Sequence, residues 1–267
     1  MGPIRIGLVA VAVLGAAGAA WYFWPREPVV PLVTSAPVAR VSPAAAPEPA
    51  VVEHYPVPEP KEAKDAKAPG KPLATLNESD NDMQAALTGL IGSETLRRFF
   101  NPESLVRNIV VTIDNLPRKT FAMRLSPLKP VGGLVITTGK EESMVLAPEN
   151  SARYAPWVSA LESVSAKKLV ALYVHFHPLF QQAYVELGYP TGHFNTRLVK
   201  VIDHLLTAPE PAGPLQLTVP HVLHEYADPA LEGESAGRKV LFRMGNANAA
   251  KVKAKLREIR RELVQAR

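Results

Sequence analysis

The most specific catalytic pattern in the sequence is the stretch 233–237 (Gly-Glu-Ser-Ala-Gly), which matches the G-x-S-x-G motif of serine hydrolases. In those enzymes the serine follows a buried strand, and the acid and the histidine of the triad come after it in the chain. Here residues 228–232 (Asp-Pro-Ala-Leu-Glu) lack a strand pattern, and no histidine follows Ser235. The sequence therefore predicts that Ser235 is the N-cap of a helix rather than a nucleophile.

The chain contains seven histidines, and their spacing decides whether they can share a metal ion. His175 and His177 are two residues apart, and on a helix that spacing points their rings away from each other. His221 and His224, followed by Glu225, have an i,i+3 spacing that could hold a metal on a helix. They match neither the His-Glu-x-x-His motif nor its inverted form. We therefore predict no metal site and structural or surface roles for these histidines.

Other kinds of catalytic or cofactor site lack their residues. The chain has no cysteine, which excludes thiolate zinc sites, iron–sulfur clusters and cysteine nucleophiles. Neither G-x-x-x-x-G-K-[ST] nor G-x-G-x-x-G occurs, so phosphate-binding loops of nucleotide enzymes are not expected. The adjacent carboxylates Glu141 and Glu142 are predicted to lie in a solvated hairpin loop. The sequence predicts no catalytic residue and no cofactor.

The C-terminal segment carries the protein's positive charge. Residues 76–237 hold 13 Lys and Arg against 17 Asp and Glu, whereas residues 238–267 hold 10 against 2. An apolar seam at helical spacing runs from Ala249 to Leu263. This helix could dock on its own domain, pair with a partner helix or contact anionic lipid headgroups. The candidate residues for an anionic surface contact are Lys251, Lys255, Arg257 and Arg261.

The N-terminal segment of the chain is apolar. Residues 6–24 are 19 uncharged, mostly apolar positions, enough for a helix of roughly 28 Å, which is close to the thickness of a bilayer core. The run ends in four aromatic residues and then Pro25, as expected at a membrane interface. We predict a transmembrane anchor over residues 1–24. The alternative is a signal peptide cleaved near residues 17–19.

A proline-rich stretch follows the anchor. Residues 25–72 contain 12 prolines in 48 positions and are expected to form an extended linker of at most about 150 Å. Such a linker would hold a domain away from a membrane, although its Pro-x-Pro repeats could also bind a proline-recognition module. The few charges that flank the anchor slightly favour a cytoplasmic N-terminus.

Residues 73–267 are predicted to form one folded domain, mainly helical and of the α+β class. Residues 79–82 resemble a helix N-terminus, and Asn101 with Pro102 resembles another. Residues 134–137 and 143–146 predict a short β-hairpin. Further helices are expected over 169–187, where Pro178 should kink or divide the helix, over 198–205, and from Ser235 and Asn246 onwards. Residues 215–219 are predicted to be a lone extended stretch.

Several short segments, taken in order, are similar to one known family. They are 111–118 (Val-Thr-Ile-Asp-Asn-Leu-Pro-Arg), 149–154 (Glu-Asn-Ser-Ala-Arg-Tyr), 187–190 (Leu-Gly-Tyr-Pro), 201–206 (Val-Ile-Asp-His-Leu-Leu) and 243–245 (Arg-Met-Gly). Over residues 76–262 the chain resembles the bacterial family catalogued as Domain of Unknown Function 3014. The resemblance implies a membrane helix, a proline-rich linker and one C-terminal domain in the bacterial envelope. It implies no activity, substrate or catalytic residue.

Polar residues beside strongly apolar runs are the remaining candidates for a ligand site. If they converge, they could form a pocket wall or a polar network; the alternative is buried pairing that fixes helix packing. These candidate residues are Asp114, Arg118, Arg153, Asn195 and Asp203.

Three functional hypotheses follow from these patterns. The first is a single-pass inner-membrane protein whose periplasmic domain binds an envelope protein, a lipid or a cell-wall polymer without catalysis. The second is an envelope hydrolase or transferase, in which residues such as Asp114, Arg118, His193, Asp203 or His224 would meet in one cleft. The third is a binder of polyanions or anionic lipids through the basic C-terminal helix; nucleic acid is not an expected partner.

Overall fold

The computed structural model describes residues 54–57, 73–140, 143–220 and 223–265. The chain divides into two compact units, Met1–Ala50 and Val51–Arg267, and all the features below belong to the second. The predicted anchor, most of the predicted linker, the pair Glu141–Glu142 and His221 lie outside the described residues. Within the described ranges, no helix has the length and apolar character needed to cross a membrane.

The second unit is mainly helical, as predicted. Among the described residues, two short 3₁₀ helices, Met123–Leu125 and Pro148–Arg153, add to the α-helices. The α-helices of the described ranges are α1 (Asp80–Ile91), α2 (Ser93–Phe99), α3 (Leu105–Asn115), α4 (Ala155–Ser163), α5 (Ala166–Glu186), α6 (Phe194–Leu206), α7 (Pro229–Glu232), α8 (Ala236–Arg243) and α9 (Asn246–Val264).

Helix α5 is the centre of the core, where it contacts α1, α3, α6 and α9. Its aromatic side chains are spaced to lie on one face, and there Phe180 stacks on the fully buried Phe194 at 5.7 Å between ring centroids. Complete burial of such a side chain contributes about 1.5–3 kcal/mol. The chain remains one continuous helix across Pro178, so the expectation that this proline could divide it is wrong.

In the part of the chain that the structure describes, two short antiparallel hairpins accompany the helices. The strands β1 (Thr137–Thr138) and β2 (Val145–Leu146) pair as predicted. Residues 215–219 are not a lone extended stretch, because β3 (Leu217–Thr218) pairs with β4 (Glu225–Tyr226). Leu217 and Tyr226 lie opposite each other in this pair and are buried against Phe242. That long-range packing was not visible in the local pattern.

The start of α3 differs from the sequence prediction. The helix begins at Leu105, after Ser104 in a left-handed conformation (φ 50°). Its first backbone amides are capped from a distance, since the Asp80 carboxylate accepts from the amides of Ser104 and Leu105 at 2.7 and 2.8 Å. Asn101, the predicted N-cap, instead donates to the carbonyl of Ser126 at 3.0 Å. A cap supplied by another helix cannot be recognised from the residues next to the capped helix.

Helix α9 docks on its own domain, where it packs against α4, α5, α6 and α8. Its apolar seam is used in this contact, and Ala249 and Leu263 are buried. Of the three alternatives for the C-terminal helix, docking is therefore the one the fold adopts for this seam. At the start of α8, the Ser235 hydroxyl accepts from the amide of Arg238, which confirms Ser235 as an N-cap.

Candidate functional site

Asp114, the next-to-last residue of α3, is almost fully buried, at 2% exposure. Its Oδ2 accepts from Arg118 Nη2 at 2.6 Å and from the Tyr189 hydroxyl at 3.2 Å. Its Oδ1 accepts from Arg197 Nε at 2.9 Å, and Arg197 Nη2 also donates to the Asp114 carbonyl at 2.7 Å. These four residues form what we call the Asp114 cluster.

The Asp114 cluster joins three parts of the fold. Arg197 reaches from α6, and Tyr189 reaches from the turn after α5, to a carboxylate on α3. The Asp114 carboxylate raises the pKa of the Arg118 guanidinium. Since every oxygen of the carboxylate already has a partner, the cluster has the chemistry of a structural clamp rather than of an open acid–base site.

The other polar candidates lie in separate networks. The Arg153 guanidinium donates to the carbonyls of Gly132 and Gly133 and to the side-chain oxygen of Asn150. Asp203 pairs with Arg260 of α9. Each contact ties a loop or a helix to its neighbour. The structure therefore places Asp114 with Arg118, but does not bring either of them together with Arg153 or Asp203.

Asn195, at the start of α6, belongs to a third kind of contact. It is 1% exposed, and its amide nitrogen donates to the backbone carbonyls of Tyr55 and Pro56 at 3.1 and 3.0 Å. The Tyr173 hydroxyl donates to its side-chain oxygen at 3.0 Å. Residues 54–57 thus pack on the domain, although the sequence assigned them to the extended linker.

The four candidates for an anionic surface contact on α9 divide into two groups. Arg257 and Arg261 are exposed, and Lys251 is exposed but pairs with Glu162 at 3.2 Å. Lys255 is 9% exposed, and its ammonium donates to the carbonyl of Val164 at 3.0 Å and to Glu258 at 2.6 Å. Lys255 is thus not at the surface as that expectation requires, because its charge is used to hold α9 in place.

A serine–histidine pair does occur, between residues whose order in the chain is the reverse of the hydrolase motif. His204 Nε2 lies 2.8 Å from the Ser235 hydroxyl oxygen. Burial, together with the Arg238 charge, lowers the pKa of His204. Ser235 is buried and also caps α8, and among the described residues no carboxylate bonds to the His204 ring. The pair can fasten α8 to α6 but lacks the orienting acid of a triad.

The residues required by the enzyme hypothesis do not share a cleft. The His193 ring lies tilted against the His54 ring, 4.4 Å between centroids, and the carbonyl of His224 accepts from Arg243. Asp203 bonds to α9, away from the Asp114 cluster. Among the described side chains no group of three or more histidines and carboxylates is arranged to hold a metal ion. These contacts connect elements of the fold to one another.

A feature that the sequence analysis missed is a cavity of about 430 Å³, here called the apolar pocket. Its volume lies within the usual range of ligand sites. Helices α1, α2 and α4 form most of its wall, and α8 and α9 close it on another side. The rings of two lining residues, Phe99 and Trp157, have centroids 4.4 Å apart. The wall is built mainly from aliphatic and aromatic side chains, including Leu87, Leu90, Phe99, Trp157, Leu161 and Met244.

The apolar pocket has few polar groups, and one cation stands in its lining. Lys129 belongs to the lining, is exposed, and donates to the carbonyl of Arg97 at 2.6 Å. The guanidinium of Arg98 lies over the Phe99 ring at 5.1 Å from its centroid. Two cations therefore stand beside a wall that offers little hydrogen bonding. This combination suits a ligand with a long apolar part and an anionic end.

A second cavity, of about 390 Å³, lies between β2 and the start of α9. Its lining includes Pro211, Pro214, Arg243 and Asn246. Asn246 already donates to the carbonyl of Pro211 at 3.1 Å, and Arg243 to that of His224. The polar side chains of this cavity are engaged within the protein, and we regard the apolar pocket as the stronger candidate site.

Sequence reasoning missed the apolar pocket because it has no chemical motif. The available signal was an excess of apolar residues in α1. That helix buries Met83 and Leu87 in the core, yet carries Leu90 and Ile91 as well. An apolar stripe wider than the core contact requires a further surface to cover it. The sequence gives no indication of which surface that is, because α2 and α4 are brought to it by the tertiary fold.

Comparison with known proteins identifies a family but no activity. A family model described as "Protein of unknown function (DUF3014)" matches residues 105–260. The match includes the Asp114 cluster and the α4, α5 and α8 walls of the apolar pocket, while α1 and α2 precede it. No curated protein and no solved structure matches the chain. Function must therefore be argued from the site.

Proposed function

This chain belongs to the DUF3014 family of proteins of unknown function, and we propose that its folded domain is a non-catalytic module that binds a lipid through one acyl chain. The observation that carries the proposal is the apolar pocket, with its volume of about 430 Å³ and its predominantly apolar wall. Each methylene group buried there contributes about 0.8 kcal/mol.

The chemistry of the wall favours a lipid over the other ligands we considered. A cell-wall polymer carries many hydroxyl and amide groups, and burying them against such a wall without hydrogen bonds is unfavourable. Lys129 in the lining and Arg98 beside Phe99 supply positive charge for a carboxylate or a phosphate at the end of the chain. A lipid with an anionic headgroup satisfies both the wall and this charged side.

The setting we propose is the bacterial envelope. Residues 1–24 would anchor the protein in the inner membrane, residues 25–72 would act as its linker, and the domain would lie in the periplasm. The uncharged run at residues 6–24 and the linker's 12 prolines support this arrangement. Protease treatment of intact cells, spheroplasts and lysates tests it: we expect digestion of the domain in spheroplasts but not in intact cells. Protection until lysis would contradict the periplasmic location.

Ligand binding can be measured through Trp157, which lines the apolar pocket. Replacing Trp21 and Trp24 by phenylalanine leaves it as the only tryptophan of the chain. We expect a dibrominated fatty acid to quench Trp157 fluorescence saturably in the full-length protein held in amphipol. The bromine atoms quench only at short range, so the signal reports entry into the pocket.

Two matched variants identify the site of quenching. Ala160→Phe fills part of the pocket wall, whereas Ala254→Phe places the same side chain at an exposed position of α9. We expect the first variant to weaken binding at least tenfold and the second to leave it unchanged. Equal quenching in both variants, or no saturable quenching in the parent chain, would refute the proposal.

A further inference from the structure

Residues 54–57 (His-Tyr-Pro-Val) are held by the domain mainly through their backbone. The Tyr55 amide donates to the Thr196 hydroxyl oxygen at 3.1 Å, and the carbonyls of Tyr55 and Pro56 both accept from the Asn195 side chain. Thus three consecutive backbone hydrogen-bonding groups are satisfied by two neighbouring residues of α6. Such contacts recognise an extended peptide whatever its side chains.

One side chain of the segment adds selectivity. Tyr55 is 8% exposed and belongs to the main hydrophobic core cluster. Pro56 fixes its own φ angle and favours an extended conformation of the residue before it, so a Tyr-Pro pair is preorganised for this contact. The His54 ring contacts the His193 ring in a tilted arrangement, 4.4 Å between centroids, which extends the contact by one residue.

The receiving surface is held in place independently of the peptide. The Tyr173 hydroxyl donates to the oxygen of the Asn195 amide and thereby fixes the orientation of its two donors. Burial raises the pKa of Tyr173, which keeps this hydroxyl protonated as a donor. Tyr173 lies on α5 and Asn195 on α6, and both helices are part of the core. The surface is therefore a preformed site.

We infer that Tyr173, Asn195 and Thr196 form a peptide-binding site for an extended Tyr-Pro segment, which residues 54–57 of the same chain occupy in cis. The occupant is a four-residue contact within a proline-rich stretch, and so small an interface binds weakly and reversibly. The short connection to α1 compensates by raising the local concentration of the segment to the millimolar range.

Occupancy of the site sets the length of chain between the domain and the N-terminal run. With residues 54–57 docked, the stretch before the contact is residues 25–53, which are 29 residues. After release it is residues 25–72, which are 48 residues. At about 3.1 Å per residue these correspond to maximal spans of about 90 and about 150 Å. This consequence rests on the proposed membrane anchor, whereas the peptide site itself does not.

A labelled peptide tests whether the site is separable from its occupant. The probe is a fluorescein-labelled decapeptide of residues 51–60, titrated into the full-length protein in amphipol. In the Tyr55→Ala chain, whose own segment no longer occupies the site, we expect saturable binding. In the wild-type chain we expect binding at least tenfold weaker, because the cis segment competes. Equal binding by both chains, or no binding by a folded Tyr55→Ala chain, would overturn the inference.

Two threonines provide a matched test of the receiving surface. In the Tyr55→Ala background, Thr196→Val removes the acceptor for the peptide backbone while keeping the shape of the side chain. Thr191→Val makes the same change at an exposed position just before α6. We expect the first to weaken peptide binding at least fivefold and the second to leave it unchanged. Equal affinities for the two variants would contradict the site.

A cross-linking measurement covers the case in which Tyr55→Ala does not fold. The chain lacks cysteine, so His54→Cys with His193→Cys introduces only two thiols, at positions whose native rings are in contact. We expect a short bismaleimide to join them, and we expect millimolar unlabelled decapeptide to slow the reaction severalfold. The same peptide with alanine for tyrosine should have no effect. If both peptides act equally, the inference fails, while quenching of Trp157 by the brominated fatty acid is unaffected.

Discussion

The Asp114 cluster and the apolar pocket are opposite kinds of region in one small domain. In the cluster, a nearly fully buried carboxylate is bonded by Arg118, Tyr189 and Arg197, and each of these bonds ties α3 to another element or to its own end. In the pocket, a cavity of about 430 Å³ is lined mainly by apolar side chains. Polar side chains therefore occur where the interior is closely packed, whereas apolar side chains line the unfilled cavity.

This difference shows where to look for function in the domain. A charged residue beside an apolar run is the feature that sequence reasoning selects, but here its partners come from within the protein. Every buried polar side-chain atom among the described residues has a hydrogen-bond partner. What lacks a partner within the protein is apolar surface, because the side chains around Phe99 and Trp157 line a cavity that the protein does not fill. Apolar surface of this kind is typical of binding sites.

The largest predicted effect comes from breaking the Asp114 cluster. Asp114→Ala leaves the guanidinium groups of Arg118 and Arg197 without their shared anion. Loss of one partner of a buried ion pair costs about 3–5 kcal/mol, and the partial exposure of both arginines reduces this. We therefore expect a decrease of about 3 kcal/mol in the free energy of unfolding, measured by urea denaturation.

Asp203→Ala is the control for that substitution. Asp203 also pairs with an arginine between two helices, but its side chain is 40% exposed and that of Arg260 is 33% exposed. An ion pair exposed to this extent contributes about 0–1 kcal/mol. If the two variants lost similar stability, burial of Asp114 would not be what makes its cluster structural. Acyl-chain quenching of Trp157 should survive in both variants while they remain folded.

The second effect concerns the apolar pocket. Leu90→Glu places a carboxylate in its wall, and Thr88→Glu places one at an exposed position of the same helix. We expect Leu90→Glu to weaken binding of the brominated fatty acid at least tenfold, because the wall becomes charged and repels an anionic ligand. Its unfolding free energy should fall by less than that of Asp114→Ala, since Leu90 is only half-buried.

The Thr88→Glu variant should bind the fatty acid as the parent chain does. A similar loss of affinity in both glutamate variants would mean that negative charge anywhere on α1 weakens binding, and the pocket would not be the site. A tenfold loss that appears only in Leu90→Glu would set this wall apart from the solvent-facing side of the helix.

The sequence predicts much of the fold because local signals decide many of its elements. The end of α1 at Gly92, the end of α3 before Leu116 and the cap at Ser235 all follow from turn and capping residues. The start of α3 could not be found in this way, since its cap is the distant Asp80. Strand β4 was missed for a different reason, since Glu225–Tyr226 is only two residues long and shows no alternating pattern.

The candidate sites were less predictable than the fold. Asp114 and Arg118 do meet, as a pair four residues apart can on one face of a helical segment. The partnership of Asp114 with Arg197 depends on how α3 packs against α6. Docking of Tyr55 on the domain was hidden by the proline-rich composition around it. The apolar pocket arises only when several helices are assembled, so no single segment encodes it.

A smaller effect distinguishes the exposed from the buried cations of α9. Arg257→Gln removes an exposed charge, whereas Lys255→Met removes one already bonded to Glu258 and to the Val164 carbonyl. We expect the first to weaken binding of labelled heparin by the full-length protein about fivefold, the effect of about 1 kcal/mol from one contact near 4 Å in water. A folded Lys255→Met chain should bind heparin unchanged. Equal losses would show that Lys255 is accessible to anions.

The smallest effect is a pH dependence of stability. Burial, with His193 nearby, lowers the pKa of His177 below its ordinary value of 6.5. Below pH 6.5 the unfolded chain therefore binds a proton at this site that the folded chain resists. The free energy of unfolding should fall as the pH decreases through this range, and the loss is complete below the folded pKa. Since His204 shifts in the same direction, His177→Asn should reduce the slope without abolishing it.

His175→Asn is the matched control, because His175 is exposed on the same helix two residues away. Urea denaturation at pH 7.5, 6.5 and 5.5 measures the slope for each chain. If His177→Asn and His175→Asn had the same slope, burial beside Tyr173 and repulsion by His193 would not be acting on His177. A flatter slope in His177→Asn alone would mean that the packing around His177 excludes a charge. The core face of α5 would then resemble the wall of the apolar pocket, whereas the Asp114 cluster holds its charge by pairing it.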